Sequence, residues 1–98
     1  MTEIPIIKKD YKLNLIGNQT SSIHILLLLE EFGDLYFTQL YKYGVNQSTL
    51  SKAKKVLLDL KLIEKYPVKQ HRTNRIYHKL TDKGKTIAKK LREIEEII

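Results

Sequence analysis

The chain contains no cysteine, which excludes disulfide bonds, thiolate chemistry and cysteine-ligated zinc. Its three histidines, His24, His71 and His78, are scattered along the sequence. It has no glycine-rich phosphate-binding loop, and no pair of carboxylates on an apolar element that would raise a pKa. These absences predict a protein that is not an enzyme, with no catalytic or metal-binding residues and no cofactor.

Long apolar runs are also missing. The longest one, residues 25–29, is far too short to span a bilayer, and the first residues lack the charged-then-apolar pattern of a signal peptide. We therefore expect a cytoplasmic protein with no membrane partner. With 98 residues, of which 42% are hydrophobic, the chain is expected to form one domain around a single modest core.

Residues 46–60 have the pattern of an amphipathic helix. Asn46 is a good N-cap, and apolar residues recur at spacings of three and four at Leu50, Ala53, Leu57 and Leu60. The opposite face collects hydroxyl and lysine side chains, namely Ser48, Ser51, Lys52 and Lys55. Such a face near a helix N-terminus suits phosphates and base edges, because its side chains donate hydrogen bonds and the helix dipole favours anions. The same pattern is equally typical of an ordinary solvated face.

The next segment has the pattern of a β-hairpin. Two β-prone runs, 63–68 and 75–80, flank a polar stretch at 69–74. Pro67 cannot donate to a sheet ladder, so its strand is expected either to lie at an edge there or to end close by. The tip is basic, with Lys69, Arg72 and Arg75 at or beside it. A mobile solvated loop that happens to be basic is the alternative interpretation.

The positive charge is concentrated on these two elements. Residues 45–79 contain nine basic and two acidic side chains, an excess equal to the formal net charge of +7 for the whole chain. Residues 21–44, by contrast, contain one basic and three acidic side chains. Because ordinary protein surfaces intersperse charges of both signs, this concentration indicates a nucleic-acid-binding surface.

Three stretches follow one another in a characteristic order: Ser-Thr-Leu-Ser at 48–51, the leucines at 57, 60 and 62 with Ile63, and Leu-Thr-Asp-Lys-Gly at 80–84. They resemble, in turn, the start of the recognition helix, its exit into the first wing strand, and the step out of the wing in winged helix-turn-helix proteins. Within that family they are most similar to MarR-like and PadR-like regulators. Two positions depart from the usual pattern. His78 stands where an aromatic or β-branched residue is usual, and Lys61 where a glycine is frequent.

The resemblance implies an α+β fold, a winged helix-turn-helix with a three-helix core and a β-hairpin wing over residues 21–80, and an additional C-terminal helix over 81–98. It also implies a sequence-specific transcriptional regulator of double-stranded DNA, with helix 46–60 in the major groove and wing 69–75 on the minor groove and backbone. The residues expected nearest base edges are Gln47, Ser48, Ser51 and Lys52. Those expected near phosphates are Lys54, Lys55, Lys69 and Arg75, and Arg72 is expected to enter the minor groove.

Two other functions use the same surface. One is an architectural protein that coats DNA without sequence preference. The other is a winged helix used for protein contacts, in which the lysines are only a solvated face.

The two ends of the chain complete the prediction. Residues 1–20 are expected to form an N-terminal arm or strand, because Tyr11, Leu13 and Leu15 alternate with polar residues. In the last helix, capped by Thr81, the apolar residues Ile87, Leu91, Ile94 and Ile98 follow the spacing of a coiled-coil seam. That stripe must pack either on its own domain or on a second copy, and we expect a homodimer.

Overall fold

The computed structural model describes residues 11–17, 21–70 and 73–98. Within these residues the chain forms five helices and three strands, which confirms the α+β class. In chain order they are α1 (Lys12–Gly17), α2 (Ser22–Phe32), β1 (Leu35–Tyr36), α3 (Phe37–Lys42), α4 (Gln47–Asp59), β2 (Ile63–Gln70), β3 (Thr73–Leu80) and α5 (Asp82–Ile97).

The three strands form one antiparallel sheet in the order β1-β3-β2. Strand β2 lies at the edge, as Pro67 predicted. The hairpin is longer than predicted, since Lys69 is paired with Asn74 and Gln70 with Thr73. Polar residues of this kind do not predict a strand. The backbone pairing of β2 and β3 nevertheless continues through them in the same register.

The prediction of a strand near the N-terminus is wrong for residues 12–17, which form helix α1. Ile16 is buried in the core, whereas Tyr11, Leu13 and Leu15 are exposed. Three apolar residues at alternate positions fit a strand, but over so short a segment the pattern does not exclude one turn of helix. Residues 1–10 and 18–20, the rest of the predicted arm, lie outside the described residues.

Helix α2 lies at the centre of the core. Ile25 and Leu26 are completely buried, and the helix packs against α5 and α4. The core is completed by residues from the other elements: Leu35, Leu40, Leu50, Leu57, Leu62, Ile63, Leu80 and Ala88. The apolar run that was too short for a membrane therefore organises the domain.

Helices α3 and α4 both end in Schellman motifs, in which a residue with positive φ directs the chain away. After α3 that residue is Gly44, and the Val45 amide donates to the Leu40 carbonyl at 3.1 Å. After α4 it is Lys61, with φ of 58°, and the Leu62 amide donates to the Leu57 carbonyl at 2.9 Å. Lys61 thus occupies a conformation that favours glycine, the residue frequent there in the resembling family.

The step from the hairpin into α5 depends on Thr81 and Gly84. The Thr81 hydroxyl accepts a hydrogen bond from the Gly84 amide at 3.0 Å, the predicted cap, and donates one to the Lys61 carbonyl at 2.7 Å. Gly84 is buried, and a Cβ atom there would overlap the carbonyl oxygen of Leu62. The glycine of the Leu-Thr-x-x-Gly stretch is therefore required by the close approach of α5 to the chain that follows α4.

Candidate nucleic-acid interface

Helix α4 begins with the predicted cap. The Asn46 Oδ1 atom accepts hydrogen bonds from the Ser48 amide at 2.9 Å and from the Ser48 hydroxyl at 2.7 Å. The Ser48 hydroxyl, expected near base edges, thus has its proton engaged in the cap and can act there only as an acceptor. One orphan amide of the helix is satisfied in this way.

A second contact holds the start of α4 against the core. The hydroxyls of Thr49 and Ser21 are hydrogen-bonded at 2.7 Å, which links the first turn of α4 to the residue before α2. Ser21 has φ of 105°, a backbone conformation that is unusual for a residue other than glycine. Because α2 is the centre of the core, this link helps to fix where the exposed face of α4 points.

The two faces of α4 are divided as the sequence predicted. Leu50, Ala53 and Leu57 are completely buried. The opposite face is exposed at Gln47, Ser48, Ser51, Lys52 and Lys55. The helix therefore presents a row of amide, hydroxyl and ammonium groups to solvent, and all of these except the Ser48 hydroxyl can donate hydrogen bonds to base edges and phosphates.

Lys54 differs from the other lysines of α4. It is only half-exposed, and its Nζ atom lies 4.9 Å from the ring centroid of Phe37, a cation–π contact. Burial, together with the charge of Lys65, lowers the pKa of Lys54 below its ordinary value. Lys54 thus points toward the hairpin, away from the outer face where Lys52 and Lys55 lie.

The wing residues that were expected on DNA are placed differently from one another. Lys69 is exposed on the edge strand β2. Arg75 is half-buried, with its Cζ atom 4.3 Å from the ring centroid of Tyr36. Arg72, expected in the minor groove, lies outside the described residues. Sequence reasoning could not foresee the position of Arg75, because it depends on Tyr36 from a strand almost forty residues earlier.

The outer face of the sheet carries a row of tyrosines. Tyr36, Tyr77 and Tyr66 lie side by side on β1, β3 and β2, with neighbouring ring centroids 5.3 and 5.8 Å apart. The Tyr66 hydroxyl donates a hydrogen bond to Asp34 at 2.5 Å, which raises the pKa of Tyr66 to about 12. These rings contact one another, so they stabilise the sheet as cross-strand pairs.

A cleft of about 590 Å³ lies between α3, α4 and the inner face of the hairpin. Four cationic side chains line it, Lys42, Lys54, Lys65 and Arg75, and no acidic residue of the described chain does. Sequence reasoning missed Lys42, Lys65 and the cleft itself. The sequence feature that could have identified Lys65 is the alternation of side chains along a strand. It places Lys65 and His78 on the same face of the sheet once their pairing is known.

His78 lies at the base of this cleft and is 1% exposed. Its ring nitrogens make no hydrogen bond of ordinary geometry to the described part of the chain, although a weak contact with the Leu35 backbone favours the protonated form. Burial, and then the charge of Lys54, lower the pKa of His78 to about 4. The imidazole is therefore neutral at physiological pH, with one nitrogen able to donate and the other to accept.

Helix α5 buries only part of its apolar stripe. Ile87 and Leu91 pack against the core of their own chain, and Arg92 forms an ion pair with Glu30 of α2 at 3.4 Å. Beyond that point the stripe is uncovered, since Ile94, Ile97 and Ile98 are 54%, 84% and 94% exposed. No helix of the described residues is both long and apolar enough to cross a membrane.

Solved structures share this arrangement of helices and hairpin. One, named as a MarR-family transcriptional regulator from Porphyromonas gingivalis W83, has a TM-score of 0.71 at 17% identity, over 94% of each chain. The fold is a winged helix-turn-helix. A transcriptional regulator homologue from Pyrococcus horikoshii OT3 has a TM-score of 0.68 at 24% identity, over 86% of this chain and 83% of that one.

A PadR-family transcription regulator from Clostridium difficile R20291 has a TM-score of 0.63 at 25% identity, over 78% of this chain and 91% of that one. These neighbours confirm the resemblance to MarR-like and PadR-like winged helices, and at such identities the likeness establishes the fold. No protein-family model matches the chain, and no curated protein matches it.

Proposed function

We propose that this winged helix is a transcriptional regulator that binds double-stranded DNA and reads its sequence with α4. The observation that carries the proposal is the exposed face of α4, where Gln47, Ser51, Lys52 and Lys55 stand beside a hairpin that bears Lys69. The segment that contains both elements has the whole positive excess of the chain. The similar solved structures that are named as transcriptional regulators support the same proposal.

In the proposed complex α4 lies in the major groove. Gln47, Ser51 and Lys52 face base edges, and Lys55 and Lys69 face phosphates. Arg72 enters the adjoining minor groove from the hairpin. If six to ten phosphates are contacted, affinity should fall by roughly 10³ to 10⁵ between 50 and 200 mM salt. No step of this function requires a catalytic group or a cofactor.

We also propose that the functional unit is a homodimer. Ile94, Ile97 and Ile98 are left uncovered by the described residues of their own chain and would form the interface, with Ile87 and Leu91 at its inner margin. Two copies related by a two-fold axis would place their α4 helices about 34 Å apart and would prefer a palindromic site. A regulator of this kind would act in the cytoplasm, on the nucleoid.

The test is selection from a pool of random duplexes at about 150 mM salt, followed by sequencing of the bound fraction. We expect an enriched two-fold symmetric motif that Lys52→Ala binds more weakly. Lys89→Ala is the matched control, because Lys89 is also an exposed lysine and lies on α5. Binding without enrichment would support an architectural protein instead. Absence of binding would support a winged helix whose function is to contact another protein.

A further inference from the structure

The cleft between α4 and the hairpin gathers positive charge from four separate elements. Lys42 comes from α3, Lys54 from α4, Lys65 from β2 and Arg75 from β3. Lys54 is partly desolvated and is close enough to Lys65 for their charges to repel, as the lowered pKa of Lys54 indicates. With no acidic residue of the described chain among the lining groups, these cations lack a counter-charge within the cleft.

The base of the cleft is polar as well. His78 is nearly completely buried there, and its ring nitrogens have only a weak contact with the Leu35 backbone and no hydrogen bond of ordinary geometry among the described residues. Lys65 is its direct neighbour across the β2–β3 ladder. Buried polar groups in folded proteins are normally hydrogen-bonded, so an imidazole without a hydrogen bond of ordinary geometry, close to Lys54 and Lys65, indicates a place for a ligand with oxygen atoms and negative charge.

The position of the cleft identifies that ligand. A helix in the major groove and a hairpin on the adjoining minor groove lie on opposite sides of one sugar–phosphate strand, because that strand separates the two grooves. The strand must then cross the gap between α4 and the hairpin, which is the cleft. We propose that the cleft binds a phosphate group, supplied in the DNA complex by the backbone, through Lys54 and Lys65 above His78. This inference rests on the proposed function.

The test compares two lysines of the hairpin that lie on opposite faces. Lys65→Gln removes a cation from the cleft, whereas Lys79→Gln removes one from the outer face, where Lys79 lies 5.8 Å from the Tyr66 ring centroid. Both variants lose the same charge from the same sheet. The readout is the slope of log affinity against log salt concentration for the selected duplex.

For Lys65→Gln we expect the slope to decrease by about one and affinity to fall about fivefold at 150 mM salt, as the loss of one phosphate contact predicts. The base preference should not change, since a phosphate contact carries no sequence information. Lys79→Gln should keep the slope of the unmodified protein. Equal losses in the two variants, or no loss in Lys65→Gln, would overturn the inference.

A second arm uses inorganic phosphate and keeps the test separate from the proposed function. If the unmodified protein binds no duplex, the proposed function fails, but the cleft can still be examined through the ring resonances of His78 in NMR spectra. A saturable shift with phosphate that is absent in Lys65→Gln would support the phosphate site with a free ligand as its source. Absence of both duplex binding and this shift would overturn the site.

Discussion

Helices α4 and α5 have similar patterns in the sequence but different environments in the structure. Both carry an apolar stripe and a charged opposite face. In α4 the stripe of Leu50, Ala53 and Leu57 is covered along its length by the chain itself. In α5 the cover that the described residues provide stops after Leu91, and isoleucines toward the end of the helix are exposed to solvent. Periodicity therefore predicts that a face will be buried, but it does not tell which molecule will bury it.

The largest difference between the helices should appear when one apolar residue is removed from each. Leu57→Ala should lower the free energy of unfolding by about 2–5 kcal/mol, because it leaves a cavity in the core. Ile97→Ala should change that of the monomer by no more than about 0.5 kcal/mol, because the side chain is exposed. Urea unfolding measured at several protein concentrations separates monomer stability from any contribution of association.

The dimer is tested in the same pair of variants by sedimentation equilibrium. Ile97→Ala should weaken self-association without unfolding the monomer, whereas Leu57→Ala should act mainly by lowering the stability of the folded monomer. A monomeric unmodified protein at tens of micromolar would contradict the assignment of the exposed α5 stripe to a second copy.

The start of α5 offers the next largest effect. Gly84→Ala should destabilise the fold by about 3 kcal/mol, because its Cβ would overlap the Leu62 carbonyl and push α5 away from the end of α4. Gly17→Ala in α1 is the matched control. It meets no atom within 4 Å, and the exchange should be neutral or stabilising. Thermal unfolding of both variants provides the measurement, and similar melting temperatures would contradict the close approach.

Beside α4, His78 makes the stability of the fold depend on pH. Its folded-state pKa of about 4 lies below the ordinary value of 6.5, so the unfolded chain binds a proton first as the pH falls. The free energy of unfolding therefore has its full value, as far as His78 is concerned, above pH 6.5. It falls by about 3 kcal/mol in all as the pH is lowered from 6.5 to 4. His78→Phe should flatten this part of the stability curve in urea unfolding. A slope unchanged from that of the unmodified protein would contradict a buried neutral imidazole.

The smallest effect concerns the end of α4. Lys61 has positive φ in the Schellman motif, and a non-glycine residue there costs about 1 kcal/mol. Lys61→Gly should stabilise the fold by up to that amount, and the effect is measurable as a shift of the urea midpoint. Lys83→Gly, in the first turn of α5, should be destabilising instead because its backbone is helical. Loss of stability in both variants would contradict the motif.

Much of the fold could be predicted because its signals are local. The Asn46 cap, the spacing of Leu50 and Leu57, and the Thr81 cap each depend on residues less than three turns apart. The N-terminal segment was predicted wrongly because five residues cannot distinguish alternation from a single helical turn. The hairpin was predicted too short because its outer pairs are polar.

The site was predicted in part for a related reason. The exposed face of α4 follows from helical periodicity alone. The cleft depends on contacts between distant residues, among them the pairing of Lys65 with His78 and the packing of Lys54 on Phe37. Arg75 was identified as a cation of the interface, but its stacking on Tyr36 depends on the order of strands in the sheet.

Lysine acetylation in the presence and absence of duplex DNA, read by mass spectrometry, tests the central claim most directly, because α4 and α5 both carry lysines. The account predicts that bound DNA protects Lys52, Lys55 and Lys69 from acetylation, while Lys85, Lys89 and Lys90 of α5 remain as reactive as in the free protein. Protection of the α5 lysines with none on α4 would contradict it.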